Sequence, residues 1–373
     1  MPLRATRNSG LLRSTLILVF AATLAVGFGA LDIGQRAMGD DETPSPVIQH
    51  AMRTVGPMMY ENACNECHRA ETRAWKATEH YTSFDDMHTT DRAKEIAKKM
   101  GVRSIKRSET CAKCHYTSKY ERRLKPLWGV SCESCHGAGK DFVDIHPYVG
   151  GDMDKKGMRP GKSKSMETPQ LRQQRLAHSA NAGMIHSEMI YEIARSCVEC
   201  HLVPDPKLVD VGGHPLGGKF ELVTWLNGDV RHNFVSSRTG KENRELSTKK
   251  KRMYYIVGTM VDLEVTLKCF VMTKNPGRFK TEMIARANRL LKRAAAIREA
   301  IKSPQFEAVF AAIPQEFDDN TYVEAGVPEQ LGRVTRQFAA DHDGAKLDSI
   351  DELLSSKQAN QEKAYNTAGL AIR

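Results

Sequence analysis

One pattern, Cys-x-x-Cys-His, occurs four times: Cys64-Asn65-Glu66-Cys67-His68, Cys111-Ala112-Lys113-Cys114-His115, Cys132-Glu133-Ser134-Cys135-His136 and Cys197-Val198-Glu199-Cys200-His201. Two thiols one tight turn apart can bond the two vinyl groups of a single haem, and the adjacent imidazole then ligates its iron. The pattern is therefore the c-type attachment signal. Paired cysteines also bind zinc, and four pairs could close two zinc sites of four thiolates each. Histidine fills 13 of 373 positions, so a chance His after every pair has odds on the order of 10⁻⁶ if positions are independent, and zinc has no use for that residue.

Four covalently attached haem c groups in so short a stretch leave little chain per cofactor. The expected fold is mainly α, a multihaem cytochrome c with little regular sheet and a haem-packed core. Eight of the nine cysteines belong to the motifs and only Cys269 is left over, so there is no disulfide framework to indicate compartment. The N-terminus supplies that indication. Arg4, Arg7 and Arg13 precede an apolar run from Leu16 to Leu31, so residues 1–35 read as a signal peptide or an N-terminal membrane anchor. Either places the haem region on the periplasmic side.

A net charge of +10 invites a nucleic-acid partner. Without residues 1–30, which hold three arginines and no acid, +10 becomes +7. Eight propionates and four ferric porphyrin centres lower it to about +3. No nucleic acid is expected. Lys249-Lys250-Lys251-Arg252 is the one local patch suited to an acidic partner, or a solvated helix start.

Residues 36–54 read as a linker and 55–240 as the tetrahaem domain. Within it, Asp91–Met100 predicts a short helix closed by Gly101. Ile185, Met189 and Ile193 predict a helix that runs into the fourth motif. Residues 241–313 form a helical extension. Met253, Ile256, Met260, Leu263, Leu267 and Phe270, then Met283, Ala287, Leu290, Ala294, Ile297 and Ile301, step by three and four on either side of Asn275-Pro276-Gly277, which predicts a helical hairpin. Cys269 is explained by core packing. Residues 314–373 read as a polar tail.

Each iron needs a second axial ligand or keeps an open face. Outside the motifs, His80, His88, His146, His178, His186, His214 and His232 are the candidates; His50 and His342 lie in polar surroundings. Cys64–His68 followed by Ala74-Trp75-Lys76 and His80, Gly129–Gly137 followed by His146, and Cys197–His201 followed by Leu202 together resemble the tetrahaem cytochrome c-554 family. That resemblance implies staggered pairs of nearly parallel haems. It implies His68 with His232 on haem 1, His136 with His80 on haem 3, His201 with His146 on haem 4, and His115 alone on a five-coordinate haem 2. His214 is an alternative to His232, and His88, His178 or His186 could close haem 2.

Three functions fit these residues. The first is an exported carrier of single electrons between a donor and an acceptor redox protein. The second is an enzyme processing a small nitrogen oxide at an open haem 2. The third is a subunit that docks to a membrane complex or to its own copies through the C-terminal helices.

Overall fold

The computed structural model describes residues 61–120, 122–152, 167–217, 220–227 and 245–354. The export segment, the linker, His232 and the chain after Leu354 lie outside these described residues.

The first three motifs sit on short helices joined by tight turns: α1 (Glu61–Cys67), α2 (Arg69–Lys76), α3 (Glu79–Asp86), α4 (Asp91–Lys99) and α5 (Glu109–His115). The predicted short helix is present as α4. The Thr90 hydroxyl caps it by accepting from the Ala93 N–H at 3.2 Å, and Gly101, at φ +68°, ends it. An antiparallel hairpin follows, β1 (Thr117–Tyr120) and β2 (Leu124–Trp128), and then α6 (Cys132–His136). The hairpin positions α6, because the Thr117 hydroxyl donates to Ser131 Oγ at 2.8 Å and accepts from the Ser131 N–H at 3.0 Å.

This region contributes only Ala70 and Ala74 as a separate buried apolar cluster. Nearly all other buried apolar side chains form one core running from Ile190 to Ile350. The mainly α fold with little sheet is as expected, and the other buried apolar side chains of residues 61–152, among them Trp75, Tyr116, Phe142 and Tyr148, belong to neither cluster.

Next come α7 (Pro169–Asn181), α8 (Ile190–Leu202), α9 (Pro206–Asp210) and α10 (Leu222–Asn227). The helix leading into the fourth motif begins later than its periodicity predicts. Ile185 lies before α8 and spends its N–H on the carbonyl of His136 at 2.9 Å.

The predicted hairpin is α11 (Thr248–Met272) and α12 (Arg278–Ile301), followed by α13 (Pro304–Phe310) and α14 (Gly326–Asp341). The stripe on α12 is buried from Met283 to Ile297. On α11 the opposite face is buried as well, including Tyr254, Val257, Val261 and Val265, because α8, α10, α12 and α14 surround it. Each large side chain so buried contributes about 2 kcal/mol. Cys269 is part of this core. The apolar faces of the hairpin are thus consumed inside the chain rather than offered to a partner. Among the described residues no helix is long and apolar enough to cross a membrane.

Two readings of the surface are corrected. The basic run at the start of α11 is a partly exposed helix start whose cations already have partners, not a free partner patch. Lys249 pairs with Asp343 at 3.1 Å, Lys251 with Glu245 at 2.7 Å and Arg252 with Asp351 at 2.6 Å, while Lys250 donates to the Ser187 carbonyl at 3.3 Å. The polar tail, as far as Leu354, contains α14, whose Val327, Leu331 and Phe338 pack into the core.

Candidate functional site

In every motif the two cysteines are three positions apart on one helix (α1, α5, α6 and α8), so both thiols project from one face. The histidine follows at once, on the last turn of the helix or just beyond it. The motifs also touch one another. The Cys64 and Cys132 thiols hydrogen-bond, as do those of Cys114 and Cys200, which puts motif 1 beside motif 3 and motif 2 beside motif 4. Those two contacts are the largest causes of a raised Cys132 pKa and a raised Cys200 pKa, whereas burial alone pushes the Cys135 thiol up to about 11. Burial is also the main reason that Cys197 rises to about 12. These are neutral thiols in apolar surroundings.

The histidines meet in pairs. Ring centres lie 6.2 Å apart for His68 and His146, 6.1 Å for His80 and His201, and 6.1 Å for His115 and His214. One iron bonded to two imidazoles holds their ring centres about 6 Å apart, since each metal–nitrogen bond is about 2 Å and each ring centre lies about 1 Å behind its nitrogen. The gap within each pair therefore fits a single haem iron. Among the described residues no group of three or more His, Cys, Asp or Glu converges as a bare metal ion would require.

A cavity of about 700 Å³ adjoins motifs 2 and 4 and is lined by Cys111, Cys114, Cys197, Cys200 and the imidazoles of His80, His115, His201 and His214. Burial, with help from neighbouring imidazoles, holds His115 and His201 down to about 4. His80, His136, His146 and His214 are lowered too, with burial the largest cause. All are uncharged near neutrality, the form in which imidazole ligates a metal. In three of them Nδ1 faces a backbone carbonyl: His136 with Ile185 at 2.8 Å, His146 with Phe142 at 3.0 Å and His214 with Pro215 at 2.7 Å. Spending Nδ1–H on a carbonyl leaves Nε2 as the ligating atom.

The pairing differs from the one that the resemblance implies. His80 faces His201 rather than His136, and His146 faces His68 rather than His201. The reason is local anchoring. Ser83 bonds the carbonyls of both His80 and His115, at 2.9 and 3.1 Å, which keeps α3 over the cavity of motifs 2 and 4. Arg175 donates to the His146 carbonyl at 3.3 Å from α7. The three imidazole pairs of the described residues do not include His136, and His232 lies outside them. Elsewhere, His178 lies against Gly151 and His186 Nδ1 accepts from the Glu188 N–H at 3.3 Å.

Sequence reasoning overlooked the residues that orient these rings. Phe220 stacks on His201 with centres 4.3 Å apart, and Trp225 lies 5.0 Å away. A single aromatic in a loop carries no periodic signal by which to find it.

The family model for cytochrome c554 and c-prime matches residues 63–137, which hold the first three motifs. Cytochrome c-554 of Nitrosomonas europaea is 29% identical over 114 residues, a stretch covering 28% of this chain and 48% of that relative. The chain thus matches about half the length of that cytochrome c-554. No solved structure matches. Both comparisons therefore liken part of this chain to cytochrome c-554.

Proposed function

We propose that the chain is an exported tetrahaem cytochrome that carries single electrons between a donor and an acceptor redox protein. The observation that carries this reading is the spacing of imidazole pairs behind the motif thiols, 6.1 to 6.2 Å from ring centre to ring centre. Haem bound at these positions supplies one-electron redox chemistry. The protein's part is to hold and tune. Cys64 and Cys67, Cys111 and Cys114, Cys132 and Cys135, and Cys197 and Cys200 provide the thioether bonds. His68, His115, His136 and His201 provide the proximal ligands, and His146 and His80 lie opposite His68 and His201. His232 completes the ligand set carried over from the family pattern.

Imidazole on both faces lacks the Met ligand that raises the potential of cytochromes c, so low potentials are expected. His68, with half its side chain exposed, puts motif 1 at the surface where a partner can approach, while motif 4 is buried against α11. The basic head and apolar run of residues 16–31 support export to the periplasm, with the segment either cleaved or retained as an anchor.

Pyridine haemochrome analysis of the protein from a host that matures c-type cytochromes should give four haems per chain. Changing one Cys pair to Ser should remove one of the four. A colourless, zinc-binding product would refute the reading, as would four couples with His/Met-like potentials.

A further inference from the structure

The remaining imidazole pair concerns motif 2, whose iron the family resemblance leaves open. We infer that His214 is the distal ligand of the haem held by Cys111 and Cys114, and that the C-terminal hairpin keeps it there. The inference rests on the haem-binding reading above.

Three observations converge on His214. Its ring centre lies 6.1 Å from that of His115, the spacing of the other two pairs. Its Nδ1 is committed to the Pro215 carbonyl at 2.7 Å, so that Nε2 is the nitrogen left for a metal. It lines the same cavity as Cys111, Cys114 and His115. The competing imidazole in that cavity, His80, faces His201.

The loop carrying His214 is fastened at several points. Asp205, at the start of α9, lies 3.6 Å from Lys113 inside motif 2. At the end of α9, Asp210 accepts from the Phe279 N–H at 2.8 Å and so caps α12. From the first turn of α12, Arg278 donates to the carbonyls of Val209, at 3.2 Å, and of His214 itself. Two turns further on, Arg286 donates to the Gly217 carbonyl at 3.2 Å. The Arg286 guanidinium is fixed by two 2.7 Å bonds to Asp262 of α11. A ligand loop of two glycines, a His and a Pro would otherwise wander. Here both its ends are tied to one rigid helix, and that helix lies outside the segment matched by the family model, residues 63–137. His214 is thus a ligand, and Arg278 and Arg286 are positioning residues.

The test is electron paramagnetic resonance of the oxidised holoprotein. His214→Ala should show one more high-spin iron per chain than the unaltered protein, at unchanged haem content, and that signal should shift on adding nitric oxide. Combining it with Cys111→Ser and Cys114→Ser should abolish the added signal, which assigns it to motif 2. Arg278→Ala should raise a fraction of the same signal, and Arg278→Lys should restore the low-spin form. An unaltered spin count in His214→Ala at full haem content would overturn the inference while leaving the carrier reading intact. An added signal that survives loss of the motif 2 cysteines would likewise overturn it. A chain without haem would instead defeat the carrier reading.

Discussion

Tyr191 on α8 donates its hydroxyl to the buried carboxylate of Glu264 on α11 at 2.8 Å. The same carboxylate lies 3.6 Å from Arg195 and 3.1 Å from Lys268, and Arg195 also binds Glu199, inside motif 4, at 2.6 Å. A charge network therefore joins the last attachment helix to the central helix of the C-terminal core.

Removing Glu264 should expose how much that junction contributes. Glu264→Ala leaves the Tyr191 hydroxyl without its acceptor and Arg195 with one carboxylate fewer, at a cost of about 3 kcal/mol. A denaturant titration followed by circular dichroism checks it. A midpoint equal to that of the unaltered chain would show that the network is not holding α8 to α11.

The ligand pairing has its own test. His80→Ala should create one high-spin iron that disappears when Cys197 and Cys200 are also changed to Ser. Survival of that signal, with loss instead on changing Cys132 and Cys135, would restore the pairing implied by the family pattern. His146→Ala should act in the same way on the haem of Cys64 and Cys67.

Acid stability should follow the buried imidazoles. His115 and His201 have folded pKa values of about 4, against an ordinary value near 6.5. The unfolded chain takes up protons that the folded chain refuses, so the stability from these groups is complete above pH 6.5 and is lost as pH falls towards 4. Each contributes about 3 kcal/mol over that window. An iron-bound imidazole refuses the proton still more firmly. Denaturant midpoints at a series of pH values should therefore fall between pH 6.5 and 4; a flat profile would contradict the assignment.

Gly217 should tolerate no side chain. A Cβ there would overlap the carbonyl oxygen of His201, a backbone atom that cannot swing aside. Gly217→Ala should cost about 3 kcal/mol, and its melting temperature, compared with that of Gly326→Ala, where an added Cβ meets nothing within 4 Å and the backbone is not left-handed, reads the effect of contact. Equal melting temperatures would mean that the loop lies away from motif 4.

Much of this chain is legible without coordinates, because some of its physics is local. A Cys-x-x-Cys-His motif is five consecutive residues, so all four copies could be named from the order of side chains alone. The stripes on α11 and α12 and the break at Asn275-Pro276-Gly277 follow from helical geometry within one segment. The tail reads as polar because α14 alternates buried and exposed positions within an average composition that is hydrophilic. The basic run at Lys249 hid its acidic partners, Asp343 and Asp351, about a hundred residues downstream.

The four Cys-x-x-Cys-His motifs were set by sequence. Which imidazole stands across from which was decided only by the folded chain. A distal ligand is selected by distance through space, and that distance depends on Ser83, Arg175, Arg278 and Arg286 holding separate segments in register. No count of residues between histidines contains that information.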